Sequence, residues 1–341
     1  MLNKKDFNYF STYLIGKEAE SRGIVVSKIF KKGPYEKHSV MKMKYGKRTE
    51  VIIGQRTSQT DCIAYWIQHN KELAKTFFRD AGIAVAKSQV FNYKEKDEIL
   101  AFCAKLKYPV VIKPVRGIQG TKVFVGIDSA KMVVKVLKEF KKGKYKTVLV
   151  EKEFHGEEYR IFATRDKYVA AIHRVPANVV GDGVNTIKKL IDIKNTDPRR
   201  GSGHRKSLVR IKVDGIVKEF LKKQKLKLSS VPKKDEIVYF RQNSNVSTGG
   251  DSYDVTNAVH PDVKKLAVKV IKAVPGLAYA GIDYLTKDIT AKPTARNYII
   301  IEVNDSPMIS MHHIPYSGKA RDAAGAIVDQ LYPESKGKSR S

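Results

Sequence analysis

From Asn70 onward the chain alternates between two hydrophobic periods, and that alternation restricts what it can fold into. KELAKTFFRDAG places Leu73, Phe77 and Ala81 four apart and closes on Gly82, a helix with a stop signal. IAVAKSQVF follows as a strand, Asp97–Leu106 as a helix, and YPVVIKP as a short buried strand that stops at Pro114. RGIQGTKVFVGI is a glycine-containing loop leading into a strand. Over Lys131–Lys141, Val133, Val136, Leu137 and Phe140 stand at i, i+3, i+4 and i+7, an amphipathic helix. TVLVEKEF and EYRIFATRDKYVAAIHRV are strands with a turn at Arg165–Asp166, and Thr186–Ile193 is helical. Pro261–Val274 carries Val263, Leu266, Ala267, Val270 and Ile271 on one face. GIDYLTKDI and NYIIIEVN are late strands, and a helix over Asp322–Leu331 ends the fold. Interleaved strands and helices predict an α/β or α+β class with mixed sheets.

The first 69 residues read differently, as a helix over Asp6–Ser21 followed by short strands in IVVSKIF, HSVMKMKYG and TEVIIG. The expected organisation is a short α/β segment at 1–69, a main domain at 70–333, and a basic, unstructured tail at 334–341. No run approaches 18 apolar residues, and the N-terminus lacks the apolar stretch and cleavage site of a signal peptide. Two cysteines, Cys62 and Cys103, cannot build a disulfide framework or a zinc site, so a cytoplasmic protein is expected.

Charge narrows the ligands. Sixty-five Lys and Arg against 35 Asp and Glu give a net charge of +30, a field that draws anions. The excess is mostly lysine and is spread along the chain, without an RRM, KH or zinc-finger pattern. Nucleic acid is therefore expected to bind only non-specifically, and an anionic small molecule or acidic peptide suits the field better.

Five stretches carry candidate chemistry. In YPVVIKPVRGIQGTKV a strand delivers Lys113 to a loop holding Gly117 and Gly120. A cation beside closely approachable backbone N–H groups suits a phosphate, although no Walker A pattern follows, and an ordinary hairpin would look the same. In VLVEKEFHGEEYRI a strand ends at Glu151, with Glu157 and Glu158 beyond a glycine. Backbone groups at a strand exit can read a base edge and a carboxylate can hold ribose hydroxyls; a solvated acidic turn is the plain alternative. In GIDYLT and IEVND, Asp283, Glu302 and Asn304 fall on two strands expected to be neighbours, and Glu302 and Asn304 share a face. Oxygen donors without His or Cys suit Mg²⁺ more than a structural ion pair. The polar stretch from His173 to Arg205 offers Arg174, Arg199, Arg200 and His204 as anion holders. In YFRQNSNVSTGGDSYDVT, Arg241 leaves a strand into a run of Ser, Asn and Gly.

Taken together, VPANVVGDG, NTDPRRG-GH, NSNVSTGGDSYDVT, the GID and EVN pair, and MHHIPYSGKARD resemble the ATP-grasp superfamily, over about Asn70 to Pro333. The resemblance is greatest to the ATP-grasp module of cyanophycin synthetase and of bifunctional glutathione synthetase. It implies two mixed sheets clamping MgATP and a carboxylate–amine ligase that works through an acyl phosphate. It also implies roles by position. Lys71 and Lys113 would contact ATP phosphates, with Gly117 and Gly120 in the loop above. Glu151, Lys152, Glu153 and Phe154 would line the adenine, and Glu158 would hold the ribose. Asp283, Glu302 and Asn304 would bind Mg²⁺, as two ions, with Mn²⁺ as an alternative. Arg241 would steady the transferring phosphoryl group, and Arg174 and the Met311–Tyr316 segment would border the acceptor.

The implied partners are a small-molecule or short-peptide carboxylate and an amine, with no membrane and with a homodimer left open. Three departures stand out: RGIQGTK is not the expected Gly/Ser-rich loop, Asp305 replaces a small or neutral residue, and neither family's additional ligase module is expected here. The chemistry needs no Ser-His-Asp or Cys-His nucleophile, and His155, His173 and His312 are expected to be structural or substrate contacts. A kinase-like enzyme that stops at phosphoryl transfer and a vestigial ATP-binding regulator remain alternatives.

Overall fold

The computed structural model describes residues 2–29, 39–117, 121–242, 244 and 246–337. The chain begins with α1 (Phe10–Ser21) and a three-stranded antiparallel sheet of β1 (Val25–Lys28), β2 (Val40–Tyr45) and β3 (Arg48–Ile53). Two helices follow, α2 (Cys62–Gln68) and α3 (Lys71–Asp80). Their N-caps are Asp61 and Asn70, whose side chains accept from the amides of Ala64 and Leu73.

The smaller of the two main sheets comprises β4 (Ser88–Asn92), β5 (Val110–Pro114), β6 (Phe124–Ile127) and β7 (Thr147–Lys152), in the order β4-β7-β5-β6. Helices α4 (Lys96–Leu106) and α5 (Ala130–Lys141) cover one of its faces. The four periodic residues of α5, Val133, Val136, Leu137 and Phe140, are all buried there, as the spacing predicts. The larger sheet takes in β8 (Glu157–Thr164) and β9 (Tyr168–Val175).

Between β9 and the next strand of that sheet lies an insertion with its own core. It contains β10 (Asn178–Val180), α6 (Ile187–Asn195), β11 (Arg200–Gly201), β12 (Leu208–Val209), α7 (Gly215–Lys223) and β13 (Ile237–Tyr239). Then β14 (Asp251–Asp254), α8 (Pro261–Ala273), β15 (Tyr279–Thr286) and β16 (Tyr298–Asn304) complete the order β14-β9-β8-β15-β16. Every pairing within both main sheets is antiparallel, where mixed sheets were expected, because α4 and α5 return the chain so that β7 enters between β4 and β5 opposite to both.

One face of the five-stranded sheet packs Tyr159, Ile161, Ala171, Ile282 and Tyr284 against α2, α3 and α8. The other face is apolar only at one end, where Phe162 and Tyr279 meet α10 (Ala323–Leu331), after the short α9 (Ser310–His313). The N-terminal segment closes that same core: Ile15, Ala19, Met41, Met43 and Ile52 pack with Ile327, Val328 and Leu331. Tyr332 donates to the Met43 carbonyl at 2.7 Å, and Arg22 pairs with Asp329 at 2.7 Å. Order runs past the expected tail boundary at 334, since Pro333–Ser335 forms a 3-10 turn with Ser335 buried; residues 338–341 lie outside the described residues.

Candidate active site

At its other end, the second face of the large sheet is ionic. Strand alternation puts Glu158 and Arg160 of β8, Arg174 of β9, Asp283 of β15, and Glu302 and Asn304 of β16 on one side. Asp283 lies directly opposite Glu302 on one neighbour and Arg160 on the other. It is buried, and Arg174 donates to its Oδ2 at 3.0 Å. Arg160 Nε approaches Oδ1 to 2.6 Å without hydrogen-bond alignment, so both atoms are buried without a hydrogen bond among the described residues. Burial would raise the Asp283 carboxyl, but Arg160 and Arg174 outweigh it and hold it below the ordinary carboxylate range. Arg174 also pairs with Glu158, which accepts from the Ser244 hydroxyl. The glycine before Ile282 has a steric reason: a Cβ on Gly281 would lie 2.6 Å from an Arg160 terminal nitrogen and 3.0 Å from Pro307. Glu302 is more open, with 37% of its side chain exposed, and Asn304 accepts from the Ser306 amide at 2.9 Å.

The small sheet turns its uncovered face toward α3 and buries a second cluster. Glu151 of β7 holds Lys75 of α3 on one oxygen and Lys113 of β5, at 2.7 Å, on the other. All three are buried. Burial would raise the Glu151 carboxyl, but Lys113 and Lys75 hold it down at about 2, so it stays ionised.

Lys71 links the loop after β5 to the acid-rich face. Its ammonium donates to the Gly117 carbonyl at 3.0 Å and lies 3.4 Å from Glu302. Gly120 lies outside the described residues, as do residues 118 and 119 of the same loop. Beyond β7, Lys152 turns back and donates to the Lys107 and Tyr108 carbonyls at 2.5 and 3.3 Å, and Glu153 accepts from the Gly126 amide at 2.7 Å. Phe154 puts neither its amide nor its carbonyl into a hydrogen bond among the described residues, which leaves a free strand-exit edge. The connector then passes so close to β15 that a Cβ on Gly156 would lie 2.5 Å from the Thr286 carbonyl oxygen.

Other expected residues have partners of their own. Arg241 pairs with Asp214, the N-cap of α7, at 2.5 Å. Arg200 is fully buried on Asp251 and two backbone carbonyls, and Arg199 is held by Asp197 and the carbonyls of Pro315 and Tyr316, so these two are structural rather than anion holders. His204 stacks on Tyr9 and is likewise structural. Asp305 points off the ionic face to Arg56 at 2.9 Å and does not join Asp283 and Glu302. His312 is fully buried beside Phe162 with neither ring nitrogen bonded among the described residues, and burial first, then Arg160 and His313, lowers it to about 3.

Sequence reasoning missed Arg160 and Lys75. Arg160 is two residues from Glu158 and so had to share its face. Lys75 is hidden by the helix phase: α3 buries Ala74, Lys75 and Phe78, whereas Leu73, expected inside, is 40% exposed.

The family described as "Phosphoribosylglycinamide synthetase, ATP-grasp (A) domain" matches residues 69–177. The chain belongs to the ATP-grasp superfamily. Among curated proteins it is 36% identical over 324 residues to cyanophycin synthetase of Crocosphaera subtropica, covering 95% of this chain and 36% of that protein. It is 37% identical over 301 residues to the glutathione biosynthesis bifunctional protein GshAB of Pasteurella multocida, covering 86% of this chain and 39% of that one. The crystal structure of a bifunctional glutathione synthetase from Pasteurella multocida superposes with a TM-score of 0.72 at 34% identity, over 96% of this chain and 44% of that one. The chain thus spans under half the length of these relatives. No helix among the described residues is long and apolar enough to cross a membrane.

Proposed function

We propose that the chain is an ATP-dependent ligase that joins the carboxylate of an amino acid or short peptide to an amine. The observation that supports this reading is Lys71, which touches both the carbonyl of Gly117, in the loop that follows Lys113, and the acid Glu302.

The residues fit ATP and Mg²⁺. Asp283, which Arg160 and Arg174 hold here, shares one face with Asn304 and the open Glu302; three oxygen donors of this kind suit a hard divalent cation, which would take over part of that pairing. When bound, Mg²⁺ would offset the charge on the phosphates and help align the transferring group. Lys113 and Lys71 would hold phosphate oxygens. The free edge at Phe154 would read the base, with Glu151 acting through the lysines it orients, and Glu158 would take the ribose hydroxyls.

In the reaction, an acceptor carboxylate oxygen attacks the terminal phosphorus of ATP and ADP leaves, giving an acyl phosphate. The amine then attacks the acyl carbon, phosphate leaves, and the nitrogen loses a proton. Arg174 and Arg241 would neutralise the charge gathered on the moving phosphoryl group and position the acceptor.

The test is release of ADP and phosphate from MgATP, screened against pairs of amino acids and short peptides, with mass spectrometry of products and Glu302→Ala as control. Release that needs both substrates, yields a condensed product and vanishes in the control supports the ligase. A phosphorylated acceptor with no condensation would favour a kinase, and absence of ATP binding would leave a vestigial fold.

A further inference from the structure

A cleft of about 690 Å³ opens between α3 and the start of β7, a size typical of small-molecule pockets at ~300–1,000 Å³. Its floor is apolar, from Leu73, Val115 and Tyr145, and its rim is Arg116, Lys144 and Lys146. It is not the candidate active site. Thr147, at the cleft, and Lys152, beside the free edge at Phe154, are opposite ends of β7, ~17 Å apart at ~3.3 Å per residue.

Two features mark it off from an ordinary solvated lysine face. Some surface lysines pair with local acids, as Lys188 does with Asp192 at 2.6 Å and Lys142 with Glu139 at 3.0 Å. Here none of the three cations has a carboxylate partner among the described residues, and each lies over an aromatic ring: Arg116 over Trp66 at 5.4 Å, Lys144 over Tyr145 at 5.3 Å, Lys146 over Tyr93 at 5.3 Å. The one acid in the lining, Glu72, is already held by Arg79 at 2.5 Å and Ser88 at 2.7 Å. The second feature is Leu73, which α3 leaves 40% exposed on the floor of this cleft although an inward phase was expected.

We propose that this cleft is a second anion site for a ligand of nucleotide size, in which the cationic rim takes a phosphate and the apolar, aromatic walls take a ring. Its position also couples it to the active site, a part of the proposal that rests on the ligase reading. Val115 of the cleft floor accepts from the Lys71 amide at 3.3 Å, Arg116 directly precedes Gly117, and the Lys71 ammonium holds both the Gly117 carbonyl and Glu302. A ligand that draws Arg116 or Val115 toward the cleft acts on the cation that links this loop to the acid-rich face.

Trp66 is the only tryptophan in the chain and its ring carries Arg116, so its fluorescence reports on the rim directly. The probes are GMP and inorganic phosphate, titrated into the wild type, into Lys144→Glu/Lys146→Glu, and into Lys113→Met. The substituted rim lysines are exposed, and far-ultraviolet circular dichroism checks folding. The expected result is a saturable GMP signal in the wild type and in Lys113→Met, weakened at least tenfold in the double variant, with phosphate binding more weakly than GMP. A GMP signal unchanged in the double variant, or lost in Lys113→Met alone, overturns the site. Phosphate binding as tightly as GMP overturns the nucleotide assignment. For the coupling, GMP is expected to shift the ATP KM by about fivefold or more in the wild type and not in the double variant. An unshifted KM in an active enzyme overturns the coupling but not the site. If no ATP turnover is found at all, the ligase reading fails while the fluorescence result still decides the cleft.

Discussion

The two main sheets each bury a cluster of charge, and the clusters are unlike. The four-stranded sheet sets two lysines on one carboxylate: Lys75 and Lys113 on Glu151. The five-stranded sheet sets two arginines, Arg160 and Arg174, among three acids, Glu158, Asp283 and Glu302. The first carries one positive charge in excess, whereas in the second Lys71, 3.4 Å from Glu302, supplies the third positive charge. Side-chain chemistry follows the same division. Guanidinium forks fix Asp283 and Glu158 in orientation, while the lysines act as point charges that can redirect to a new oxygen. The lysine cluster is left with an uncompensated ammonium, which under the proposed function a phosphate of ATP would pair.

Removing Asp283 breaks the comparison hardest. Asp283→Ala strands the buried Arg160 guanidinium and leaves Arg174 on Glu158 alone, and loss of one partner of a buried ion pair costs about 3–5 kcal/mol. Urea unfolding should show a loss of that size, and condensation should cease. A variant as stable as the wild type would mean that Glu158 and Glu302 already balance the arginines.

In the small sheet the expectation is asymmetric. Glu151→Gln leaves two buried ammoniums with no acid, so a loss of about 3 kcal/mol is expected. Lys75→Met leaves one lysine on one carboxylate and a helix face that is otherwise apolar, so its stability should stay within about 1 kcal/mol of the wild type. ATP affinity should nonetheless fall, because Glu151 then holds Lys113 alone. Equal losses from the two variants would show that Lys75 is as necessary to the cluster as Glu151. The connector between the sheets comes next: Gly156→Ala meets the Thr286 backbone and should cost about 1–3 kcal/mol, as overpacking does. A neutral result would show that the link between β7 and β8 can shift.

Much of this was legible in the sequence where one period ran unbroken. The α5 stripe was read residue by residue, and Glu302 and Asn304 were placed on one face because strand alternation requires it. What was illegible was pairing across elements. Nothing local to Arg200 or Asp305 tells that their partners are Asp251 and Arg56, far away in the chain. Helix phase failed at α3 for a related reason: Lys75 goes inside only because Glu151, on another element, receives it. Helix α7 escaped notice because lysines crowd its apolar residues, although Asp214 caps it in the ordinary way.

An effect confined to low pH lies behind the acid-rich cluster. His312 is fully buried near Arg160, and burial, Arg160 and His313 together lower it to about 3. A protonated ring there would be a buried cation beside another, the Arg160 guanidinium. In the unfolded chain the same ring titrates near 6.5. Between about 6.5 and 3 the unfolded state therefore binds a proton that the folded state refuses, so stability is retained above 6.5 and lost as the pH falls. By pH 5 the loss is about 2 kcal/mol relative to pH 7.5, from 1.36 kcal/mol per pH unit. His312→Leu removes that proton and two ring nitrogens that have no bonded partner, so the variant should match or exceed the wild type at pH 7.5. It should also lose about 2 kcal/mol less on going to pH 5, keeping only contributions such as those of His204 and His313, which burial also lowers. Parallel pH profiles for the two proteins in urea unfolding would place the proton elsewhere. They would also show that the acid-rich side of the large sheet accepts a further positive charge beside Arg160, and the contrast between the clusters would then rest on geometry rather than on charge.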